Sequence, residues 1–316
     1  ELRTGDQFAL HDLRAMQDWG GAHNEDAGYL IGLLIGDGTL KNDKAVLSVW
    51  DSAALKIANG GDMIPSAGIA NVMRAAEQAA RSLPHRADFN GWQKPVEGRG
   101  EYRLATGALR TLALELGLTP GNKRFTAAME TSSSGFYRGV LRGMFDADGS
   151  VQGSQEKGIS VRLTQIDLGN LAAVQRMLQR LGIISTIYQN RRPGGMKALP
   201  DGKGGANGHS VHDNETCHVR SLSPNSLPQA GERDAVSLRE FHVNEYACQT
   251  LHELIISGEN IVRYAELIGF SDSDKMDRLN GLLADYQRKP NGQGEYAAHD
   301  NETCHVRSLS PNSLPQ

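Results

Sequence analysis

The sequence predicts an α+β protein built from two pseudo-symmetric halves. Two runs set 111 residues apart, Gly28–Gly38 and Gly139–Gly149, carry small residues at the same three places, four residues apart, and an acidic residue directly after the third. Each run is typical of a helix, and each is followed by strand-like and helix-like segments in a common order. These observations predict two αββαββα halves, each beginning with its motif helix.

The first half is predicted at residues 28–131, after a polar, irregular lead segment at residues 1–27. Lys44–Asp51 is rich in β-branched and aromatic residues and ends in Asp-Ser, which indicates a strand followed by a helix N-cap. The elements expected after it are helical stretches within 57–83, a strand pair at 86–90 and 101–105, and a helix at 107–116 that ends at Gly117.

The second half is predicted at residues 132–286, with an inserted polar loop at about 206–245. Gly158–Gln165 alternates apolar and polar residues, which indicates a strand with one solvent-facing side. Asp167 is expected to cap the helix that follows. That helix is expected at 168–181 and ends at Gly182. A strand at 183–190, a basic loop at 191–195 and a strand at 252–257 follow. The last element is a helix at 259–268, which ends at Gly269.

An 18-residue segment occurs twice without a change. Residues 212–229 recur as residues 299–316, within a C-terminal tail predicted at 287–316. An old duplication would have drifted, so the repeat indicates a recent duplication or an artefact, and its polar, Pro- and Ser-rich content favours an exposed loop or disorder. In principle the two copies could form a zinc site, although the spacing matches no common zinc motif. Its ligands would come from His212, Cys217, His218, His299, Cys304 and His305.

The small residues of the two motif runs predict close helix packing. Residues at i, i+4 and i+8 lie along one side of a helix, so each motif helix presents a ridge with almost no side chain on it. Two such ridges can approach more closely than the usual 8–10 Å between helix axes. The predicted interface residues are Gly28, Gly32, Gly36, Gly139, Gly143 and Ala147.

This packing would bring Asp37 and Asp148 together at the C-terminal ends of the two helices. Two carboxylates at that place repel each other and face the partial negative charge of the helix ends. A divalent cation would relieve both effects. Oxygen ligands favour Mg²⁺, with Mn²⁺ as a substitute and Ca²⁺ as an alternative, and the chemistry indicated is metal-assisted displacement at phosphorus.

Composition fits a soluble, cytoplasmic enzyme. The 316 residues contain no apolar run near the ~20 residues needed to cross a bilayer, and the N-terminal residues do not resemble a signal peptide. Three cysteines give no disulfide framework. The net charge of −4 is unusual for a nucleic-acid-binding protein, but basic residues are concentrated between Lys157 and Lys203. That segment is either a DNA-binding face or a solvated surface.

The two runs resemble the paired motifs of the LAGLIDADG homing endonucleases. Phe145–Ser150 matches the second copy of that motif closely, whereas Ile35–Thr39 departs from the first copy but keeps Asp37. The resemblance implies two LAGLIDADG halves with the motif helices packed at the centre. It also implies that Asp37 and Asp148 hold the metal in a DNA endonuclease.

Two halves arranged in this way would place their sheets side by side as a saddle for duplex DNA. Arginines on such a surface can donate to guanine or phosphate, although a polar strand face needs no ligand. The residues expected on or beside this surface are Arg162, Thr164, Tyr188, Asn190, Arg191 and Arg192.

Residues 136–203 and 246–286 are similar to endonuclease domains embedded in bacterial ribonucleotide reductase inteins. The similar stretches include Val161–Asp167, Val174–Tyr188 and His252–Asn260. The terminal nucleophile, Thr-x-x-His helper and final His-Asn of a splicing intein are missing, so self-splicing is not expected. In the LAGLIDADG family a lysine from each half commonly lies near the cleavage site. Lys123 matches in the first half, and either Lys197 or Lys203 in the second, although each of the three could instead be a solvated surface lysine.

The sequence thus predicts a monomeric, site-specific endonuclease that hydrolyses one phosphodiester on each strand of a long duplex target with Mg²⁺. The pseudo-twofold arrangement would supply one acidic residue for each strand. One alternative is a catalytically inactive DNA-binding relic of an intein endonuclease domain. The other is a folded intein remnant that binds no DNA usefully.

Overall fold

The computed structural model describes residues 13–15, 18–51, 65–93, 100–154, 158–198 and 245–285. Within these ranges helices and strands alternate along the chain in two comparable series. The first series consists of α1 (Glu25–Gly36), β1 (Thr39–Leu40), β2 (Ala45–Trp50), α2 (Ala67–Ser82), β3 (Trp92–Gln93), β4 (Glu101–Ala105) and α3 (Gly107–Glu115).

A short helix, α4 (Ala127–Glu130), precedes the second series. That series consists of α5 (Ser134–Asp148), β5 (Gly149–Ser154), β6 (Gly158–Gln165), α6 (Leu168–Arg180), β7 (Ser185–Arg192), β10 (Leu251–Ser257), α7 (Asn260–Leu267) and α8 (Ser273–Asp285). Between β7 and β10, the strands β8 (Gly195–Ala198) and β9 (Glu245–Cys248) pair with each other in a separate compact unit.

The two sheets share one topology, which confirms the predicted α+β fold with two related halves. The first sheet has the order β1-β2-β4-β3 and the second has the order β5-β6-β10-β7, and all pairs are antiparallel. Each motif helix leads directly into the edge strand of its own sheet. The register therefore makes residues 45–49 of β2 correspond to residues 161–165 of β6, and residues 102–105 of β4 correspond to residues 252–255 of β10.

The motif helices α1 and α5 begin at side-chain caps and bury their apolar residues. The Asn24 carboxamide oxygen accepts from the Ala27 backbone N–H at 3.0 Å, and the Ser133 hydroxyl accepts from that of Phe136 at 3.0 Å. Such caps satisfy backbone donors that have no partner within the helix. Between its caps α1 buries every residue from Ala27 to Ile35, which places it at the centre of the core.

Several elements differ from those predicted. Where a basic loop was expected at 191–195, β7 extends to Arg192 and β8 begins at Gly195. Residues 86–90 form no strand, because the Phe89 N–H donates to the Arg86 carbonyl in a turn and Gly91 follows with φ +73°. The strand of that region is β3, only two residues long and paired with Arg103 and Leu104. The helices α4 and α8 were not predicted. Residues 57–64, within the helical stretches expected at 57–83, lie outside the described residues.

No helix among the described residues combines the length and apolar character needed to cross a membrane. The 18-residue repeat, with all six of its candidate zinc ligands, lies outside the described ranges.

Candidate active site

The small residues of α1 and α5 bring the two helix backbones into contact. A Cβ added to Gly28 would lie 2.2 Å from the Phe136 carbonyl oxygen, and one added to Gly32 would lie 2.2 Å from that of Val140. Reciprocally, a Cβ on Gly139 would lie 2.0 Å from the Glu25 carbonyl oxygen, and one on Gly143 would lie 2.5 Å from that of Tyr29. These separations leave no room for a side chain at any of the four positions.

The same contact continues to the acidic ends of the helices. A Cβ on Gly36 would lie 2.5 Å from the Ala147 Cβ and 3.2 Å from Asp148 Oδ2. Asp37 follows Gly36 as the C-cap of α1, and Asp148 is the last residue of α5. The structure thus places both acidic residues at one end of the helix pair, where each would add an oxygen ligand suited to a hard cation.

Gln165, which the sequence analysis missed, contacts one of these carboxylates. It ends β6, and its Nε2 donates to Asp148 Oδ2. In the register of the two sheets its counterpart in the first half is Val49, which has no polar side-chain atom. The carboxylate of Asp148 therefore has a neutral hydrogen-bond donor that the first half does not reproduce at this position.

A lysine caps the C-terminal end of each motif helix. Lys123 Nζ donates to the carbonyl oxygens of Leu34, Gly36 and Gly38 at 2.9, 3.3 and 2.6 Å. Lys275 Nζ donates to the carbonyl oxygens of Phe145 and Asp146 at 3.2 and 2.6 Å. A cation at this place offsets the partial negative charge of the helix end. It also places a positive charge at the helix end that carries the acidic residue.

Lys275 is the counterpart of Lys123 under the symmetry of the two halves. Leu34 and Phe145, whose carbonyls the two lysines contact, each lie three residues before the acidic residue of their helix. Each lysine also lies six residues after a glycine with positive φ, Gly117 or Gly269, so this spacing was a sequence signal for Lys275. Lys197 lies in β8, in the separate unit, and its side chain is not described; Lys203 lies outside the described residues.

A buried acid lies one turn from the end of α5. Asp146 is 6% exposed, and its carboxylate accepts from the Tyr29 hydroxyl at 2.8 Å and from the backbone N–H groups of Ser271 and Asp272 at 3.0 and 3.2 Å. Burial raises the pKa of Asp146, and the charge of Lys275 opposes that rise. Burial, followed by the charge of Asp146, raises the pKa of Tyr29.

The second sheet presents a polar face on which several predicted DNA-binding residues meet. Thr164, Glu253 and Tyr188 are paired across β6, β10 and β7, so they share one face of the sheet. Glu253 is buried, and its Oε2 lies 3.5 Å from both Arg162 Nη1 and Arg191 Nε. The Arg191 guanidinium also lies 5.5 Å from the centre of the Tyr188 ring.

The far end of β7 holds the other two predicted DNA-binding residues. Asn190 has φ +54° next to an irregularity in the β7–β10 pairing, and its backbone N–H donates to His252 Nδ1 at 3.1 Å. Arg192 pairs with Leu251. The side chains of both residues are exposed, so the strand end offers an amide and a guanidinium to solvent.

The first sheet has a matching polar row that the sequence analysis did not single out. Ser48, Arg103 and Gln93 are paired across β2, β4 and β3, in the positions that Thr164, Glu253 and Tyr188 occupy in the second sheet. Arg103 donates twice to Glu101, at 2.8 and 2.6 Å, and this hydrogen bonding raises the pKa of Arg103. The central residue of the row is therefore an arginine paired with a glutamate in one half, and a glutamate beside two arginines in the other.

Residues 135–269 match the family model of the LAGLIDADG-like domain. Two curated relatives are the NrdEB subunit alpha of ribonucleoside-diphosphate reductase from Bacillus subtilis (strain 168) and the corresponding subunit of Bacillus phage SPbeta. Each is 25% identical to this chain over 256 residues, which make up 78% of the chain and 22% of the relative. The chain thus spans about a fifth of the length of these relatives.

Similar solved structures include the homing endonuclease I-DmoI in complex with DNA and Mn. It is 16% identical, with a TM-score of 0.35, and the match covers 78% of this chain and 96% of that one. Full-length DUF199/WhiA from Thermatoga maritima is 15% identical, with a TM-score of 0.40, over 89% of this chain and 66% of that one.

Proposed function

We propose that this chain, whose residues 135–269 match the LAGLIDADG-like domain, is a site-specific endonuclease that cuts both strands of a long DNA duplex. The observation that carries the proposal is the convergence of Asp37 and Asp148 at the end of two helices in backbone contact. Each of these helix ends also carries a lysine. Residues 28–131 and 132–286 would each contribute one half of the site, so a monomer could cut both strands.

Asp37 and Asp148 would hold Mg²⁺, with Mn²⁺ as a substitute. Their carboxylate oxygens fit a hard cation, and a site with few protein ligands leaves positions for water and phosphate oxygens. The bound ion would supply Lewis acidity and an activated water. Gln165 would orient the Asp148 carboxylate through its hydrogen bond to Oδ2. The ammonium groups of Lys123 and Lys275 would place positive charge where the scissile phosphates lie.

The polar faces of the two sheets would bind the DNA grooves. Arg162 and Arg191, both beside Glu253, offer guanidinium donors suited to guanine or phosphate. Thr164, Tyr188, Asn190 and Arg192 would extend this surface in the second half. In the first half, Arg103 and Gln93 would form the corresponding part. Arg103 pairs with Glu101 in the first half, whereas two arginines flank Glu253 in the second, so the two halves would offer different donors to their half-sites.

The similarity to ribonucleoside-diphosphate reductase subunits supports an intein-derived, cytoplasmic enzyme whose target lies in a ribonucleotide reductase gene. The direct test is incubation of the protein with plasmids that carry uninterrupted ribonucleotide reductase genes, with Mg²⁺ or with EDTA. We expect a linear product in Mg²⁺ and none in EDTA. Specific, salt-dependent binding without cutting in Mg²⁺ or Mn²⁺ would instead identify a DNA-binding relic.

Replacement of either lysine is expected to slow cutting without weakening DNA binding. Lys123→Met and Lys275→Met each remove one positive charge next to a carboxylate, and loss of one such electrostatic contact typically slows a reaction about 100-fold. The rate of linear product formation and the Kd should be measured for each variant. Lys41→Met, at an exposed lysine of the β1–β2 turn, is the control. A Lys275→Met variant that cuts at the wild-type rate would exclude Lys275 from the site.

Replacement of the arginines beside Glu253 is expected to weaken DNA binding. Arg162→Ala and Arg191→Ala should each raise the Kd about tenfold or more, because a guanidinium contact to a base typically contributes ~1–3 kcal/mol. Titration of labelled target DNA at several salt concentrations would measure the change. A slope of log K against log salt that falls by about one would assign the lost contact to phosphate. Arg86→Ala is the control, since Arg86 is 87% exposed and lies in the turn between α2 and β3 of the first half.

A further inference from the structure

We infer that Asp146 is a positioning residue that fixes Lys275 against the end of α5 and thereby controls the cutting of one DNA strand only. The inference rests on the proposed endonuclease function. It concerns a residue that holds no metal and reaches its effect through a neighbour.

The side chain of Asp146 fixes the start of the segment that carries Lys275. Its carboxylate accepts from the backbone N–H groups of Ser271 and Asp272, the two residues just before α8. Asp272 Oδ1 then accepts from the backbone N–H groups of Asp274 and Lys275, at 3.0 and 3.1 Å. The Asp146 carboxylate thus holds the backbone of the loop before α8, and the Asp272 carboxylate caps the first turn of α8.

The backbone carbonyl of Asp146 accepts a hydrogen bond from the side chain of Lys275. The Lys275 ammonium donates to the Asp146 carbonyl oxygen at 2.6 Å, so one residue contacts both the backbone before Lys275 and its charged group. The Tyr29 hydroxyl, from α1, donates to the same carboxylate at 2.8 Å. Because Asp146 is buried and its carboxylate is hydrogen-bonded from two directions, the position of Lys275 is fixed relative to both motif helices.

The described part of the first half contains no counterpart of this anchor. Ile35 stands where the second half has Asp146, two residues before the acidic residue of the motif. The segment around Lys123 is held from α6 instead: Asn170 Oδ1 accepts from the Phe125 N–H at 3.0 Å, and Asn170 Nδ2 donates to the Lys123 carbonyl at 3.4 Å. Because different residues hold the two lysines, loss of one anchor should affect one strand.

The test measures the nicking rate of each strand separately, on the target duplex labelled at either 5′ end. Asp146→Ala should slow one strand about 100-fold, since a misplacement of about 1 Å can reduce a rate by that factor, and nicked duplex should accumulate. Asn170→Ala should produce the opposite strand bias. Asp146→Asn keeps an acceptor for the two backbone N–H groups and should restore most of the lost rate.

Trp19→Phe is the structural control. It removes the hydrogen bond from Trp19 Nε1 to the Ser132 carbonyl, 2.9 Å long, just before the opposite end of α5, and should leave the strand ratio unchanged. If Asp146→Ala fails to fold, Tyr29→Phe can be tested in its place. This variant removes one hydrogen bond to the Asp146 carboxylate and should give the same strand bias with a smaller difference between the two nicking rates. If these variants slowed the cutting of both strands equally, the role inferred for Asp146 would be wrong, but the proposed endonuclease function would stand. A wild-type protein that binds the duplex but cuts neither strand would overturn the proposed function as well.

Discussion

Replacement of Asp37 or Asp148 by Asn is expected to abolish double-strand cutting while the protein stays folded and bound to DNA. Each substitution removes one anionic ligand of the proposed metal, and a loss of about 4 kcal/mol of transition-state stabilisation would slow cutting about 1000-fold. Cleavage of the target plasmid in Mg²⁺ should therefore fall below detection on the time scale of the wild-type reaction. The Kd for the target should change little.

The same two variants are expected to keep their thermal stability in the absence of metal. The two carboxylates lie at the C-terminal ends of adjacent helices, where the helix dipoles disfavour a negative charge, whereas Lys123, Lys275 and the hydrogen bond from Gln165 offset part of this cost. Because each such effect is typically worth ~0.3–1 kcal/mol, the net change in unfolding free energy should stay within about 1 kcal/mol. Melting with EDTA would measure this change. Asp88→Asn is the matched control, because Asp88 is 67% exposed and forms an ion pair with the exposed Arg86. Cutting at the wild-type rate by either Asn variant would contradict the two-carboxylate site.

The centre of the fold could be predicted because its signals are local and occur twice. Small residues at a four-residue spacing determine how closely two helices can pack, and this spacing is visible in the sequence. Likewise, the alternation in Gly158–Gln165 identifies β6, whose apolar side chains the structure buries. A two-residue strand such as β3 has no alternation to detect, so its position depends on its pairing with β4.

The remaining site residues depend on contacts between distant parts of the chain. Lys275 meets the Asp146 carbonyl across 129 residues, and Arg162 meets Glu253 across 91. No pattern within a short window relates such residues. Lys123 and Lys275 each lie six residues after a glycine, and this spacing is visible in the sequence. Its significance is seen only in the structure, where both lysines reach the ends of the motif helices. Asp146 lies within the motif match at Phe145–Ser150, but its role had no sequence signal, because the first half has Ile35 at its place.

Substitution of the central glycines by Ala is expected to have the largest effect on stability. Gly28→Ala, Gly32→Ala, Gly139→Ala and Gly143→Ala each place a methyl group 2.0–2.5 Å from a carbonyl oxygen of the facing helix. Backbone atoms at the centre of the core cannot move as a side chain can. We therefore expect each variant to lose at least about 3 kcal/mol of unfolding free energy, measured by denaturant unfolding.

Gly281→Ala is the matched control, because Gly281 lies within α8 and an added Cβ there meets nothing within 4 Å. That variant should gain ~0.5–1 kcal/mol, the usual helix-forming advantage of Ala over Gly. Wild-type stability in Gly139→Ala would show that α1 and α5 do not pack backbone to backbone. Any folded fraction of the four central variants should also cut poorly, since separation of the helices by about 1 Å moves Asp37 away from Asp148 and can reduce the rate about 100-fold. The glycine variants would then lose both stability and cutting activity, whereas Asp37→Asn and Asp148→Asn would lose cutting activity but stay folded.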